Sequence, residues 1–260
     1  MLLAHAGSVG PACRAEPYAA RVAVSVSLAP GVLRIPVMPM DLINVFALID
    51  DDGQVTLVDA GVRRSPPRIL QALAEIGSAA QEVTRILVTH SHADHVGGLG
   101  RVVEQTGADV AAHIDDADDV RLGRGAPLDP SAPLARLRSR NVGSDATPVE
   151  TELHDGDVLP VAGGVRVIHT PGHTPGHVSL LHEPTGTLIT GDAIWNMNAR
   201  RTWPVMAFCS DGALSQQTAN RLGELEYSTA AFTHGPEIRE NGREAIRSFL
   251  ARPRGFRMLL

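Results

Sequence analysis

Thr89-His90-Ser91-His92-Ala93-Asp94-His95 places four metal-ligating side chains within six positions, spaced H-x-H-x-D-H. The run continues from Arg85-Ile86-Leu87-Val88-Thr89, which reads as a short buried strand, and leads into a helical pattern over 96–106 that stops at Gly107. The polar cluster therefore sits at a strand end. Residues two apart project to the same side only in an extended backbone, so His90 and His92 can share one ion just past the strand. Asp94 and His95 follow the turn and face a second ion beside the first. A helical H-E-x-x-H pair would meet its metal differently, from one helix face.

A catalytic zinc site takes three protein ligands and keeps one position for water, so further donors must come from elsewhere in the chain. The second half offers three, each directly after a strand-like run: His173 in Thr170-Pro171-Gly172-His173-Thr174-Pro175-Gly176-His177, Asp192 in Thr190-Gly191-Asp192, and His234 in Phe232-Thr233-His234-Gly235. Gly and Pro beside each donor suit loops that hold ligands rigidly at strand ends. With the first cluster they make a set of five His and two Asp, one carboxylate being able to bridge two ions. His177 reads as a structural or orienting partner, not an eighth ligand. His5, His113, His154, His169 and His182 read as ordinary histidines outside the set.

Working outward, strand-like runs occur at 22–28, 44–50 and 54–59, the last two joined by Asp51-Asp52-Gly53 as a hairpin. Ser65 as N-cap and Pro66 at the first helical position open a helix that Gly77 closes. The second half is built alike, with strands at 165–169, 177–182, 186–190 and 229–233, and helices over 211–226 and 241–251. Two strand-rich halves flanked by helices predict an α/β sandwich, two sheets within and helices outside. Residues 1–20 read as a ragged terminus and 21–260 as a single domain. The segment 113–147, with Asp115, Asp116, Asp118 and Asp119 ahead of several Arg, reads as a mobile insertion or partly helical lid.

The chain has 260 residues, 43% of them hydrophobic, which suffices for a sizeable core. No run approaches the roughly 18 apolar residues of a membrane helix. A net charge of −6 and the lack of a strong basic cluster speak against nucleic acid as a partner. All 23 basic residues are Arg, which excludes Schiff-base chemistry and a lysine general base. Two cysteines, Cys13 and Cys209, with no secretory signal pattern in the first 17 residues, predict a reducing, cytoplasmic location.

This donor set resembles the metallo-β-lactamase superfamily of metallohydrolases, from about Leu33 to the C-terminus. The resemblance implies a four-layer αβ/βα sandwich with a dinuclear site at the edge of two mixed sheets. It implies that His90, His92 and His173 hold one ion, Asp94, His95 and His234 the other, and that Asp192 bridges them. Asp59, in Val58-Asp59-Ala60-Gly61, matches the family's early Asp-x-Gly strand end and is expected to orient a ligand His.

The expected cofactors are two divalent ions, zinc first, with manganese or iron also suited to the donors. The expected reaction is hydrolysis of an ester, thioester or lactone in a small-molecule acyl substrate by a hydroxide shared between the ions, with Asp94 passing a proton to the leaving group. Alternatives are a mononuclear iron enzyme that oxidises thiols or persulfides, and a metal-binding module without turnover. In a chain with 3% aromatics, Trp195, Met197, Trp203, Met206 and Phe208 cluster after the bridging Asp. They suit an apolar substrate wall, a core lid beneath the site or a homodimer interface, and Cys209 suits pocket lining or core.

Overall fold

A computed structural model describes residues 24–129 and 143–252. The expected ragged terminus, 1–20, and residues 130–142 of the expected insertion lie outside the described residues. The first sheet has seven strands in chain order: β1 (Val26–Ala29), β2 (Val32–Pro36), β3 (Asn44–Ile49), β4 (Val55–Val58), β5 (Val83–Val88), β6 (Asp109–His113) and β7 (Thr151–Leu153). Strands β1 to β4 run as an antiparallel meander and β4 to β7 are parallel. The parallel connections require crossovers, supplied by α1 (Pro66–Glu75), by α2 (Ala93–Val96) with α3 (Leu99–Thr106), and by α4 (Ile114–Leu122) with the segment after it.

The second sheet is built from β8 (Val158–Leu159), β9 (Val165–His169), β10 (Val178–His182), β11 (Thr187–Ile189) and β14 (Thr229–Ala231), ordered β14-β11-β10-β9-β8. It is antiparallel except for the β11–β14 pair. Between β11 and β14 lie the small hairpin β12 (Trp195–Met197) and β13 (Arg200–Thr202) and helix α5 (Gly212–Thr218); α6 (Gly242–Leu250) follows β14.

Side-chain alternation along the strands sorts the core into three layers of contact. Phe46, Leu48, Val58 and Leu87 of the first sheet meet Val167, Leu180, Ile189 and Ala231 of the second. Their neighbours Ala47, Leu57, Ile86 and Val88 point to the other face, where Ile69 and Leu73 of α1, Leu99 and Val102 of α3 and Val120 of α4 cover them. On the far side Ile168, Leu181 and Leu188 pack under Leu222, Ile246 and Phe249. Each fully buried Leu or Ile stabilises the fold by about 1.5–3 kcal/mol. The result is the four-layer sandwich, helices outside and two mixed sheets within.

Several boundaries differ from the periodicity reading. The strand expected at 22–28 is Val26–Ala29 among the described residues, and β2, β6, β7, β8 and the β12–β13 hairpin are additional. The helix expected over 96–106 is two pieces, because Gly97 and Gly98 press against backbone: a Cβ would meet Ala93 O at 2.2 Å and Ala60 O at 2.4 Å respectively. The helix expected over 211–226 ends at Thr218 and continues as a tighter turn over Ala219–Gly223. Ser65 stands at the N-cap of α1, yet its hydroxyl makes no capping bond. Within 113–147, Ile114–Leu122 is helix α4, with Asp116, Ala117 and Val120 buried. No helix among the described residues is long and apolar enough to cross a membrane.

Candidate metal centre

All seven donors converge at one edge of the sandwich, where the ends of β5, β9, β11 and β14 meet. Val178 N–H donates to Thr89 O across the two sheets at 2.9 Å, which locks the ligand loop of one sheet to the other. The turn before His173 depends on Gly172, at φ +123°, where a Cβ would lie 2.1 Å from Ser215 N. Gly191 (φ +53°) does the same before Asp192, since a Cβ would strike His177 Nε2 at 2.6 Å.

The donor atoms fall into two groups that share Asp192. His90, His92 and His173 bring ligand atoms within 4.8 Å of one another, and so do Asp94, His95 and His234. His92 Nδ1 lies 2.9 Å from His173 Nε2. Asp192 Oδ2 faces the first group, 3.2 Å from His173 Nε2 and 4.0 Å from His90 Nε2. Its other oxygen, Oδ1, faces the second, 3.3 Å from His234 Nε2 and 3.4 Å from His95 Nε2. Asp94 Oδ2 completes that group at 3.5 Å from His234 Nε2 and 3.7 Å from His95 Nε2. His90, His95, His173, Asp192 and His234 are buried and His92 is partly so, whereas the Asp94 side chain is 39% exposed and marks the open side.

The ring nitrogens that do not face the centre are held. His90 Nδ1 lies 3.1 Å from Thr89 Oγ1, His95 Nδ1 2.8 Å from Asp59 Oδ2, and His173 Nδ1 3.5 Å from Cys209 Sγ; His234 Nδ1 meets Leu42 O. A proton on Nδ1 of His95 and His234 leaves each Nε2 lone pair aimed inward. Nε2 of His90, His95 and His234 are buried with no hydrogen-bond partner. One such orphan costs about 1–3 kcal/mol, so three converging on one spot fit a group that accepts lone pairs, a metal cation.

Electrostatics agree. Burial, with His95 adding, pushes His90 well below its ordinary value, and burial together with His173 takes His92 down to about 3. His95 moves the other way: burial opposes its charged form, but Asp192, Asp94 and Asp59 outweigh it and push it up to about 10. Burial also disfavours the Asp192 carboxylate, yet His234 and His95 hold its carboxyl well below the usual range. The centre thus combines two imidazoles held neutral, His90 and His92, with His95 and His234, whose positive form Asp192 and Asp94 favour, an environment in which buried carboxylates stabilise positive charge.

Four supporting residues complete the site. Asp59 accepts from Thr89 N–H and Thr89 Oγ1–H, both at 2.8 Å, besides holding His95, which is the orienting role the resemblance implies. His177 is not among the donors: its Nε2 accepts the Asp192 N–H at 2.7 Å, and its Nδ1 lies 2.8 Å from Thr170 Oγ1. Thr233 Oγ1 donates to Asp192 Oδ1 at 2.7 Å. Asp116 belongs to the acidic run that reads as part of a lid, and sequence reasoning gives it no role at the site. It is buried, accepting from Ser91 N–H at 2.8 Å, Thr174 Oγ1–H at 2.7 Å and Gly176 N–H at 2.6 Å, and so ties the first ligand loop to the His173 loop. Helical spacing is the signal that could have found it, since Asp116, Ala117 and Val120 share one helix face with the core.

The Trp195 ring lies beside His234, centroids 4.5 Å apart and tilted at 48°, and Phe208 is 40% exposed. Trp203 instead packs on Phe249, in the outer core. Cys209 is buried, behind His173.

Residues 41–234 match the family model described as the metallo-beta-lactamase superfamily. The chain belongs to the metallo-β-lactamase superfamily. It is 31% identical to the uncharacterized protein YobT of Bacillus subtilis over 76% of this chain and 87% of that one. It is 32% identical to a hydroxyacylglutathione hydrolase of Cereibacter sphaeroides over 63% of this chain, but spans only 56% of that enzyme's length. Among solved structures, a metallo-beta-lactamase family protein from Thermus thermophilus superposes with a TM-score of 0.66 at 29% identity, covering 86% of this chain and 80% of that one. Membership of the metallo-β-lactamase superfamily, with the buried His/Asp cluster at its centre, makes the chain a metallo-hydrolase of this fold.

Proposed function

We propose that the protein hydrolyses an ester, thioester or lactone bond of a small acyl substrate, using two divalent ions, zinc foremost. The observation that carries the reading is the split carboxylate of Asp192, one oxygen turned to the His90/His173 side and the other to the His95/His234 side. His90, His92 and His173 would hold one ion, Asp94, His95 and His234 the other. Such a pair, when bound, supplies a water acidified towards neutrality and a Lewis acid for the substrate carbonyl.

The chain's own groups set the rest. Asp59 and Leu42 O fix the orientation of His95 and His234. Asp94, the exposed carboxylate of the set, would pass a proton to the leaving group. Trp195, beside His234, and the exposed Phe208, next in the chain to Cys209, offer apolar surface suited to the acyl portion of the substrate. The relationship to a hydroxyacylglutathione hydrolase supports the thioester member of the substrate class; the chain covers too little of that enzyme to carry over its glutathione portion.

The test is metal analysis of the purified protein followed by assay against thioesters, lactones and aryl esters. Two ions per chain with hydrolysis lost in His92→Ala or Asp192→Ala is the expected result. Turnover unchanged in those variants, or one iron with oxygen uptake on thiols, overturns the proposal.

A further inference from the structure

The brace that touches His234 directly, Leu42 O, is neutral, and the charge that steadies it lies one layer back. Leu42 belongs to the turn ahead of β3, so that turn sets the orientation of the His234 ring. The turn is strained: Met40 and Asp41 are consecutive non-glycine residues in the left-handed region, at φ +59° and +54°. Met40 is 84% exposed, so its own packing does not hold the turn. Bonds at Asp41 do. Its backbone O accepts the Gly235 N–H at 2.8 Å, and its Oδ1 accepts from Arg34 Nη1 at 2.7 Å. Arg34 lies in β2 and is only 4% exposed.

The same guanidinium reaches the other side of His234. Arg34 Nε donates to Glu237 Oε2 at 2.9 Å, beyond the ligand in the chain, and Nη1 also donates to Asn44 Oδ1 at 3.0 Å. Asn44 is buried and donates in turn from Nδ2 to Phe232 O at 3.0 Å and to Gly235 O at 2.9 Å, which brackets His234 from both sides. Building on the two-ion reading above, we propose that Arg34 is a positioning residue that decides whether the centre holds one ion or two. By tying Asp41, Asn44 and Glu237 together it holds His234 against the Asp94/His95 side, and without it only the His90/His92/His173 side keeps its ion.

The chemistry of the side chain fits that task. A guanidinium presents its donors in a rigid planar fork, able to fix acceptors on two loops and a strand in set directions, and the carboxylates of Asp41 and Glu237 offset its buried charge. Among the described residues, no hydrogen bond of the Arg34, Asp41, Asn44 or Glu237 side chains reaches the loops of His90, His92 and His173, which Asp116 and Cys209 brace instead. Loss of Arg34 is therefore felt on one side of the centre.

The test uses the full chain, stripped of metal by chelator and titrated with zinc alone. Wild type is expected to take up two equivalents. Arg34→Gln should bind one of them as tightly as wild type does and the other at least about tenfold more weakly. A general loosening of the fold would weaken both, so equal weakening of the two, or two unchanged affinities, overturns the proposal. Asp41→Gly suits the left-handed turn and removes only the carboxylate, and it takes the same test if Arg34→Gln does not fold. Fewer than two equivalents in wild type overturns the two-ion reading instead, and NMR of the metal-free chain then decides the role of Arg34. A slowly exchanging His234 Nδ1–H signal, identified by its loss in His234→Gln, is expected in wild type and should vanish in Arg34→Gln, or in Asp41→Gly in its place. Its absence from wild type, or its persistence in that variant, overturns the proposal.

Discussion

The two halves of the metal centre are built differently. The first half places four donors on one loop, 90–95, and braces that loop with carboxylates: Asp59 on Thr89 and His95, Asp116 on Ser91. The second half places three donors singly on three loops, and the groups that touch those donors directly are neutral, Cys209 behind His173, Leu42 O behind His234, Thr233 and His177 around Asp192, while Asp116 reaches the His173 loop only through Thr174 and Gly176. Bonds to an ionised partner are roughly twice as strong as neutral ones. The contiguous loop is therefore the preorganised wall, and the scattered donors depend on the glycine turns and the sheet that carries them.

The comparison breaks most visibly at Asp192, which serves both groups. Asp192→Ala should lower metal-dependent hydrolysis by more than the roughly 100-fold that marks the upper end for outer partners, with both ions lost in elemental analysis. Loss of one ion only would mean that its two oxygens do not serve two sites. Next comes the charged brace of the first half. Asp59→Asn should weaken metal affinity about 10- to 100-fold in chelator competition, because His95 loses its anionic acceptor.

Asp116→Asn probes the link between the halves. It replaces a carboxylate that accepts from three buried donors by a single carbonyl, and should cost about 1–3 kcal/mol of stability, read as a lower urea midpoint. The smallest effect is expected at the neutral brace: Cys209→Ala should change metal affinity less than about tenfold. The same thiol, pushed up to about 12 by burial and by Asp192, should resist alkylation in the native protein at mildly alkaline pH and react once the chain is unfolded. Equal losses in Asp59→Asn and Cys209→Ala would show that charge in the brace is irrelevant.

The same contrast explains how much of the site is legible in the sequence. The H-x-H-x-D-H run is legible because its donors are neighbours in the chain, so their spacing alone implies convergence. Asp59 is legible only through the family resemblance, which marks its Asp-x-Gly strand end. Asp116, His177 as an acceptor of the Asp192 N–H, and Cys209 behind His173 are not, since each acts across 15 to 60 positions of chain. Of the strands, the long apolar runs of β3, β5, β9 and β10 show plainly. Short β6 and β7 do not, because their pairing is parallel and non-local, and only their neighbours make them strands.

Alternation of apolar residues and the glycine-flanked strand ends were enough to determine an α/β sandwich and to nominate seven donors. Periodicity and spacing are local properties, and they survive in a linear string. Which oxygen of Asp192 faces which imidazoles, which carboxylate braces which loop, and that Arg34 meets Glu237 at all were decided only when two sheets packed face to face. Those contacts join residues far apart in the chain, and their geometry is fixed by the packing of Phe46, Leu87, Val167 and Leu180 between the sheets, not by any sequence interval.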